Sequence, residues 1–382
     1  MKIATFLLKD NTFIKESNVE NISYDTVQLL IGFGDNKIVT DATTFAFLKE
    51  KFPNATISLC STAGEIYGTE TTENTLTLTA IEFSSTTIKK ASVNVTNIKN
   101  SFNAGEELFE LLPKENLKLI FVLSDGNKVN GSELVKGLNK NNSDNILITG
   151  GLAGDGARFI ETSVGLDSVA QSGNIIAIGF YGDKLKVSHG SMGGWETFGL
   201  EREVTSSKNN VLFEIDHKNA LELYKKYLGK YADELPGSAL LFPLSLKQPN
   251  NSDSDSVIRT ILTIDEENQT MTFAGDLPIG SKVKFMKANF DKLIDAASEA
   301  ATNSLTMNTI QPKLAILISC IGRKVILSNR IEEEIEAVAK TFGKDTSITG
   351  FYSYGEISPL NPLTNCELHN QTMTITCFEE TE

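Results

Sequence analysis

Two glutamates, Glu65 and Glu356, follow a glycine in the same short word, G-E-I, at opposite ends of the chain. An acidic side chain at a glycine-bearing strand exit can pair with a ligand ammonium, and a well-made charge-assisted hydrogen bond contributes roughly 1.5 to 3 kcal/mol. It can equally serve its own loop by accepting backbone N–H groups. Ser61, Thr62 and Gly64 accompany the first glutamate; Tyr352, Tyr354 and Gly355 accompany the second. Between them, G-G-L-A-G-D-G-A-R (150–158) brings Gly151, Gly154, Asp155 and Arg158 into one loop. That loop has no P-loop lysine and no clear helix start after it, which argues against nucleotide binding. Successive backbone N–H groups, helped by Arg158, can still capture a carboxylate.

Other candidates stand singly. Asp125, between Ser124 and Gly126, suits a polar ligand or a turn cap. Trp195 lies in G-G-W-E-T-F-G, where its ring can close over a ligand or plug a domain junction. Arg259 interrupts V-I-R-T-I-L-T, an odd place for a charge unless it meets a carboxylate. Of Tyr352 and Tyr354, which share a face, one can line a pocket while the other packs. Catalytic signatures are weaker. His189, His217 and His369 show no metal-binding spacing and read as surface residues, and no G-x-S-x-G elbow occurs. Cys320 reads as a buried apolar thiol rather than a reactive one. No cofactor and no metal are called for.

The elements that would position these residues recur. An apolar strand (26–35), a helix capped by Asp41 with Phe45, Leu48 and Phe52 on one face, and a strand (55–60) lead into the first G-E-I. An alternating strand (74–83) follows. The order returns at 313–322, a helix through Ile331, Ile335, Val338 and Phe342 capped by Ser328 or Asn329, a strand at 347–352, the second G-E-I and an alternating strand at 369–378. A third copy runs through 117–126, a helix near 132–138, 146–151 and 174–180, with G-G-L-A-G-D-G in place of G-E-I. Repeated β-α-β-loop-β units predict an α/β (mixed α+β) fold of mixed sheets covered by helices. The alternating strands predict antiparallel members with one solvent-facing side. Ligands of such sheets sit beyond the strand carboxyl ends, where the candidates cluster.

A length of 382 residues favours two domains, with the boundary near residue 213: 1–213 and 214–382. A strand at 239–246 and a hairpin open the second. A formal charge of −14 repels phosphate backbones and anionic lipid, so neither nucleic acid nor membrane is expected as a partner. The start shows no signal-peptide core and the four cysteines form no C-x-x-C pair, which reads as cytoplasmic.

In order along the chain, C-S-T-A-G-E-I, G-G-L-A-G-D-G, H-G-S-M-G-G-W-E-T-F-G, A-L-E-L-Y, F-P-L, G-D-L-P-I-G and G-F-Y-S-Y-G-E-I-S-P together resemble the FIST family, the F-box and intracellular signal transduction domain. The resemblance covers most of the chain, with N-terminal and C-terminal parts in tandem. It implies a cytoplasmic sensory or ligand-binding module that recognises small molecules such as amino acids; its output then goes through a signalling protein partner, or the chain acts alone. Two readings of other classes stand beside it: a hydrolase or lyase using Asp125, Glu65 or Glu356 as acid or base, and a protein-binding scaffold. Hydrophobic sheet faces allow a homodimer without requiring one.

Overall fold

The computed structural model describes residues 1–235, 237–249, 256–306, 310–361 and 364–381. The chain opens with β1 (Lys2–Lys9), β2 (Thr12–Ser17), β3 (Leu29–Gly34), α1 (Asn36–Val39) and α2 (Ala42–Lys51). The strands β4 (Thr56–Ser61), β5 (Glu65–Tyr67), β6 (Glu70–Thr72) and β7 (Leu76–Glu82) complete a first unit. A second contains β8 (Thr87–Asn94), α3 (Ser101–Glu110), β9 (Leu117–Ser124), α4 (Gly131–Asn139), β10 (Leu147–Leu152), β11 (Val164–Leu166) and β12 (Asn174–Tyr181).

After β13 (Leu185–Met192) the chain builds a separate sheet. Its members are β14 (Glu196–Lys208), β15 (Val211–Ile215), β16 (Lys218–Asn219), β17 (Leu244–Lys247), β18 (Ser256–Arg259), β19 (Ile261–Asp265), β20 (Thr270–Phe273) and β21 (Lys282–Lys287), with α5 (Ala220–Leu228) against it. The last unit holds α6 (Phe290–Thr306), β22 (Leu314–Cys320), α7 (Ile321–Leu327), α8 (Ile331–Phe342), β23 (Ser347–Ser353), β24 (Gly355–Pro359), β25 (Cys366–His369) and β26 (Met373–Glu380).

Three six-stranded sheets share one arrangement. In each, a central strand (β3, β9, β22) pairs in parallel with the strand after its helices (β4, β10, β23) and antiparallel with a later one (β7, β12, β26). The mixed α/β architecture read from the sequence is the one observed. Each central strand sends alternate residues to one shared core: Leu29, Ile31 and Phe33; Leu119, Phe121 and Leu123; Leu314, Ile316 and Ile318. The opposite face of each sheet packs under helices, as where Leu30, Ile57 and Leu78 meet Val39, Leu48 and Phe52.

The three sheets are tied by exchanged segments. The β5–β6 hairpin leaves its own unit and pairs with β23, β24–β25 pairs with β10, and β11 pairs with β4. The strand exits therefore interlock. Ala63 N donates to Tyr352 O (2.8 Å), Gly154 N to Ser61 O (3.0 Å) and Tyr354 N to Leu152 O (3.1 Å). Residue 213 falls inside β15, and two of these sheets draw strands from both sides of it.

Four expectations are corrected here. The alternating strands have no solvent face: β7 and β26 are buried on both sides for most of their length, because their threonines look inward while their aliphatic residues meet helices or the neighbouring core. Neither Ser328 nor Asn329 caps α8. The short α7 intervenes, and Ser328 ends it with φ of 48°. Residues 239–246 are a helical turn (Gly237–Leu241) followed by the short β17. The run through Arg259 breaks at Thr260, so β18 pairs with β17 while β19 forms the hairpin with β20.

Candidate functional site

The two G-E-I carboxyls are staples of their own corners. Glu65 is 1 % exposed; its Oε1 accepts from Thr62 Oγ1 (2.7 Å) and its Oε2 from Thr75 Oγ1 (2.8 Å). Glu356 is fully buried, its Oε1 accepting from Ser353 Oγ (2.6 Å) and its Oε2 from Thr372 Oγ1 (2.9 Å) and Thr372 N (3.2 Å). Hydroxyls, more than the expected backbone N–H groups, do the holding. Burial pushes each carboxyl up to about 7, and the hydroxyl donors only partly offset it. That value lies in the range of a general acid or base, but both oxygens of each are spent on the fold.

The aligned acid of the middle unit works differently. Asp155 Oδ1 accepts from Phe159 N (2.8 Å) and from the Tyr354 hydroxyl, and Oδ2 from Ile160 N (2.9 Å) and Glu161 N (3.0 Å). It clamps the loop 155–161 onto the last unit. Phe159 is held at φ of 54° and stacks on Tyr354 with centroids 4.4 Å apart. Asp125 is likewise consumed. Asn127 N and Lys128 N (2.7 Å each) reach Oδ1, while Gly173 N (2.7 Å) and Ser172 Oγ (3.0 Å) reach Oδ2. It is a turn cap.

Two clefts open beside these corners, with Ile321 in the wall of both. One, of about 500 Å³, gathers Thr62, Gly64, Glu65 and Arg158 with Asp35 and Lys324. Its cations are already engaged. Lys324 Nζ donates to Ala63 O (2.7 Å) and pairs with Glu73, and Arg158 Nη2 meets Asp35 Oδ2 (3.2 Å). Gly64, at φ of 136°, leaves room for that lysine, since a Cβ there would lie 2.5 Å from Nζ.

The other cleft, of about 600 Å³, lies between the body and the eight-stranded sheet. One wall is the loop from Gly126 into α4, with Leu152 and the Tyr354–Phe159 stack. Facing it are Asn210, Thr260, Leu262 and Phe273–Gly275, and Cys320–Gly322 with Asn370 close the end. Thr260 is 4 % exposed and Asn370 fully buried, and each carries a side-chain oxygen with no hydrogen-bond partner among the described residues. The Asn370 amide nitrogen donates to His369 O (2.9 Å), leaving Oδ1 unpaired. Buried polar atoms are mostly paired; other unpaired ones occur among the described residues, but two lie on residues of this cleft and none on residues of the smaller one, which sets this cleft apart.

Of the residues proposed from the sequence, Tyr354 lines this larger cleft, and Thr62, Gly64, Glu65 and Arg158 line the smaller one. Ser61, Asp125, Gly151, Gly154, Asp155, Tyr352, Gly355 and Glu356 lie in the interlocked corners. Ser61 Oγ accepts from Ser163 N, and a Cβ on Gly151 would collide with Ile318. Tyr352 donates to Glu334 (3.1 Å), which forms a fully buried ion pair with Arg323 (2.8 Å). Trp195 packs on Leu293, Ile326 and Leu327, and its Nε1 donates to Gln371 O (3.0 Å), so it plugs a junction.

Arg259 is buried but meets carbonyls rather than a carboxylate: Asp276 O (3.1 Å), Leu368 O (3.0 Å) and Ile258 O (3.2 Å). Burial lowers its guanidinium to about 10, with Glu367 and Asp276 opposing. His189 and His369 are buried, contrary to the surface reading, because their strands lie inside the body. Burial brings both down to about 4. Burial likewise raises the Cys320 thiol, keeping it unreactive. Thr260, Asn370, Phe159 and the Asn127–Asn130 loop carry no sequence motif that marks them as site residues. Only N-K-V-N-G ahead of a helix gave a local signal.

The architecture is that of a mixed α/β protein with a cleft between its body and the eight-stranded sheet. A FIST N domain matches residues 28–218 and a FIST C domain residues 220–359, so the chain belongs to the FIST family, whose domains are sensory domains of signal transduction. It is 25 % identical over 206 residues to an uncharacterized protein of Methanocaldococcus jannaschii, covering 47 % of this chain and 38 % of that one. The chain thus spans less than half the length of this relative. Among solved structures, a cyanuric acid hydrolase from A. caulinodans aligns over 100 % of this chain and 99 % of its own at 8 % identity and TM-score 0.39. A second cyanuric acid hydrolase structure aligns over 99 % of both chains at 11 % identity and TM-score 0.32. Likeness at that level carries no chemistry to this chain.

Proposed function

We propose that the chain is a sensor that binds a small polar metabolite, amino acids among the suitable ligands, in the 600 Å³ cleft between its body and the eight-stranded sheet. The observation that carries this reading is the pair of unpaired buried oxygens, Thr260 Oγ1 and Asn370 Oδ1, on residues that both line one cleft. A polar ligand supplies the missing partners. Because the walls belong to different sheets, occupancy can change how those sheets meet. It matters for signalling only through unequal affinity for two arrangements.

A signalling protein partner, or a second copy of the chain, receives that change. The four cysteines are buried and unpaired, which suits a reducing, cytoplasmic setting. No described helix is long and apolar enough to cross a membrane. The central arrangement shared by the three sheets, a strand between one parallel and one antiparallel neighbour, supports internal duplication as their origin.

Calorimetry against a panel of amino acids and organic acids tests the proposal, with Thr260→Val and Glu65→Gln beside the parent protein. Expected is a binding heat that weakens about tenfold in Thr260→Val, the equivalent of about one hydrogen bond, and is unchanged in Glu65→Gln. No heat with any compound refutes it. A loss confined to Glu65→Gln refutes the choice of cleft.

A further inference from the structure

We infer that this cleft selects its ligand by a carboxylate carried on an apolar or aromatic tail, and that a ligand amine is not what it reads. The inference rests on the ligand-cleft reading above and adds the chemical class.

Charge comes first. Although the chain carries a formal charge of −14, no aspartate or glutamate is among the described residues lining the cleft. Asp125, directly behind its first loop, has both oxygens filled by N–H and hydroxyl donors. A ligand ammonium would therefore find no anionic partner there, only the neutral oxygens of Thr260 and Asn370, which leave its charge unbalanced. Lys128 supplies the charge of the lining, is exposed, and makes no ion pair among the described residues.

The helix beside it reinforces that sign. Asn130 caps α4 by accepting Glu133 N (3.0 Å), and Asn130 O accepts Leu134 N (2.9 Å). The amides of Gly131 and Ser132 have no carbonyl to reach within the helix, and Gly131 lines the cleft. Asp276 approaches this helix start, but its two oxygens are taken by Asn130 Nδ2 (3.2 Å) and Lys136 Nζ (3.4 Å). The independent sign that a ligand belongs here is again Asn370 Oδ1 and Thr260 Oγ1. Asn370 Oδ1 only accepts and Thr260 Oγ1 accepts or donates, so a neutral hydroxyl or amide N–H of the ligand, or a water carried in with it, satisfies them without an ammonium.

Apolar surface defines the rest of the ligand. Phe159, half exposed, lies flat on Tyr354, and Val129, Leu152, Leu262 and Phe273 continue the greasy wall. A carboxylate at the α4 end and a ring against Phe159 make complementary use of both regions.

Three compounds that share one ring separate the possibilities: phenylacetate, L-phenylalanine and phenethylamine, titrated calorimetrically into the full chain and into Lys128→Gln. Lys128 is exposed and unpaired, so its replacement leaves the fold intact. Both carboxylates are expected to bind, the amine to bind at least about tenfold more weakly, and Lys128→Gln to weaken the carboxylates about tenfold. Phenethylamine binding as tightly as phenylacetate overturns the carboxylate rule while leaving the cleft a ligand site. Unchanged carboxylate affinity in Lys128→Gln overturns it as well. Failure of all three compounds to bind the parent protein, while another polar metabolite binds there, overturns only this inference. Failure of every metabolite overturns the ligand-cleft reading and this inference together.

Discussion

Replacing Glu356 by glutamine should hardly change stability in acid and should raise it above neutrality. The carboxyl is fully buried, and burial pushes it from its ordinary 4.5 up to about 7 despite hydroxyl donors from Ser353 and Thr372. Below pH 4.5 it is protonated both folded and unfolded, so folding bears no cost. Between 4.5 and 7 only the unfolded chain ionises it, and stability present in acid is lost as pH rises through the folded value. At 1.36 kcal/mol per unit, the loss is about 1 kcal/mol at pH 5 and about 3 kcal/mol at pH 8. Glutamine keeps the size and one acceptor without the charge. Urea unfolding of both proteins at pH 5 and pH 8 should therefore show the variant's advantage growing by about 2 to 3 kcal/mol. Comparing the two proteins at each pH cancels the opposing contribution of His189 and His369, whose depressed values remove stability as pH falls from 6.5 through about 4. An advantage that does not change with pH refutes the account of this carboxyl. A variant less stable at pH 8 would mean that the charged form is the one the corner holds.

Three further outcomes follow from the same geometry. Thr260→Val removes a buried hydroxyl without a partner and should raise stability by about 1 kcal/mol in the absence of ligand, read by thermal unfolding, while weakening binding. Glu334→Ala leaves the Arg323 guanidinium uncompensated among fully buried neighbours and should cost about 3 to 5 kcal/mol in urea unfolding. Asp155→Ala removes the acceptors for Phe159, Ile160 and Glu161, so hydrogen exchange at Ile160 and Glu161 should quicken about tenfold while the central core keeps its protection.

Local pattern carried much of the fold. The apolar runs of β3, β9 and β22 and the stripe Ile331–Ile335–Val338 were legible because strand and helix periodicity is a property of neighbouring residues. The exchange of β5–β6, β11 and β24–β25 between sheets was not, since nothing in a hairpin's own residues names a distant partner strand. That exchange encloses the corners on both sides, which is why Thr77 and Thr79 are buried where alternation suggested water. It also explains the glutamates. A repeated glycine-acid word marks a repeated corner, and the corner consumes the acid. The cleft residues Thr260 and Asn370 come from parts of the chain more than a hundred positions apart, in stretches that read as ordinary strands. Only assembly gives them meaning.

The most direct test is a crystal structure of the protein with the tightest-binding compound of the metabolite panel. The account predicts ligand density within hydrogen-bonding distance of Thr260 Oγ1 and Asn370 Oδ1, between the α4 start and the Phe159 ring. Ligand seated instead beside Glu65 and Lys324, with both oxygens satisfied by ordered water alone, would contradict it.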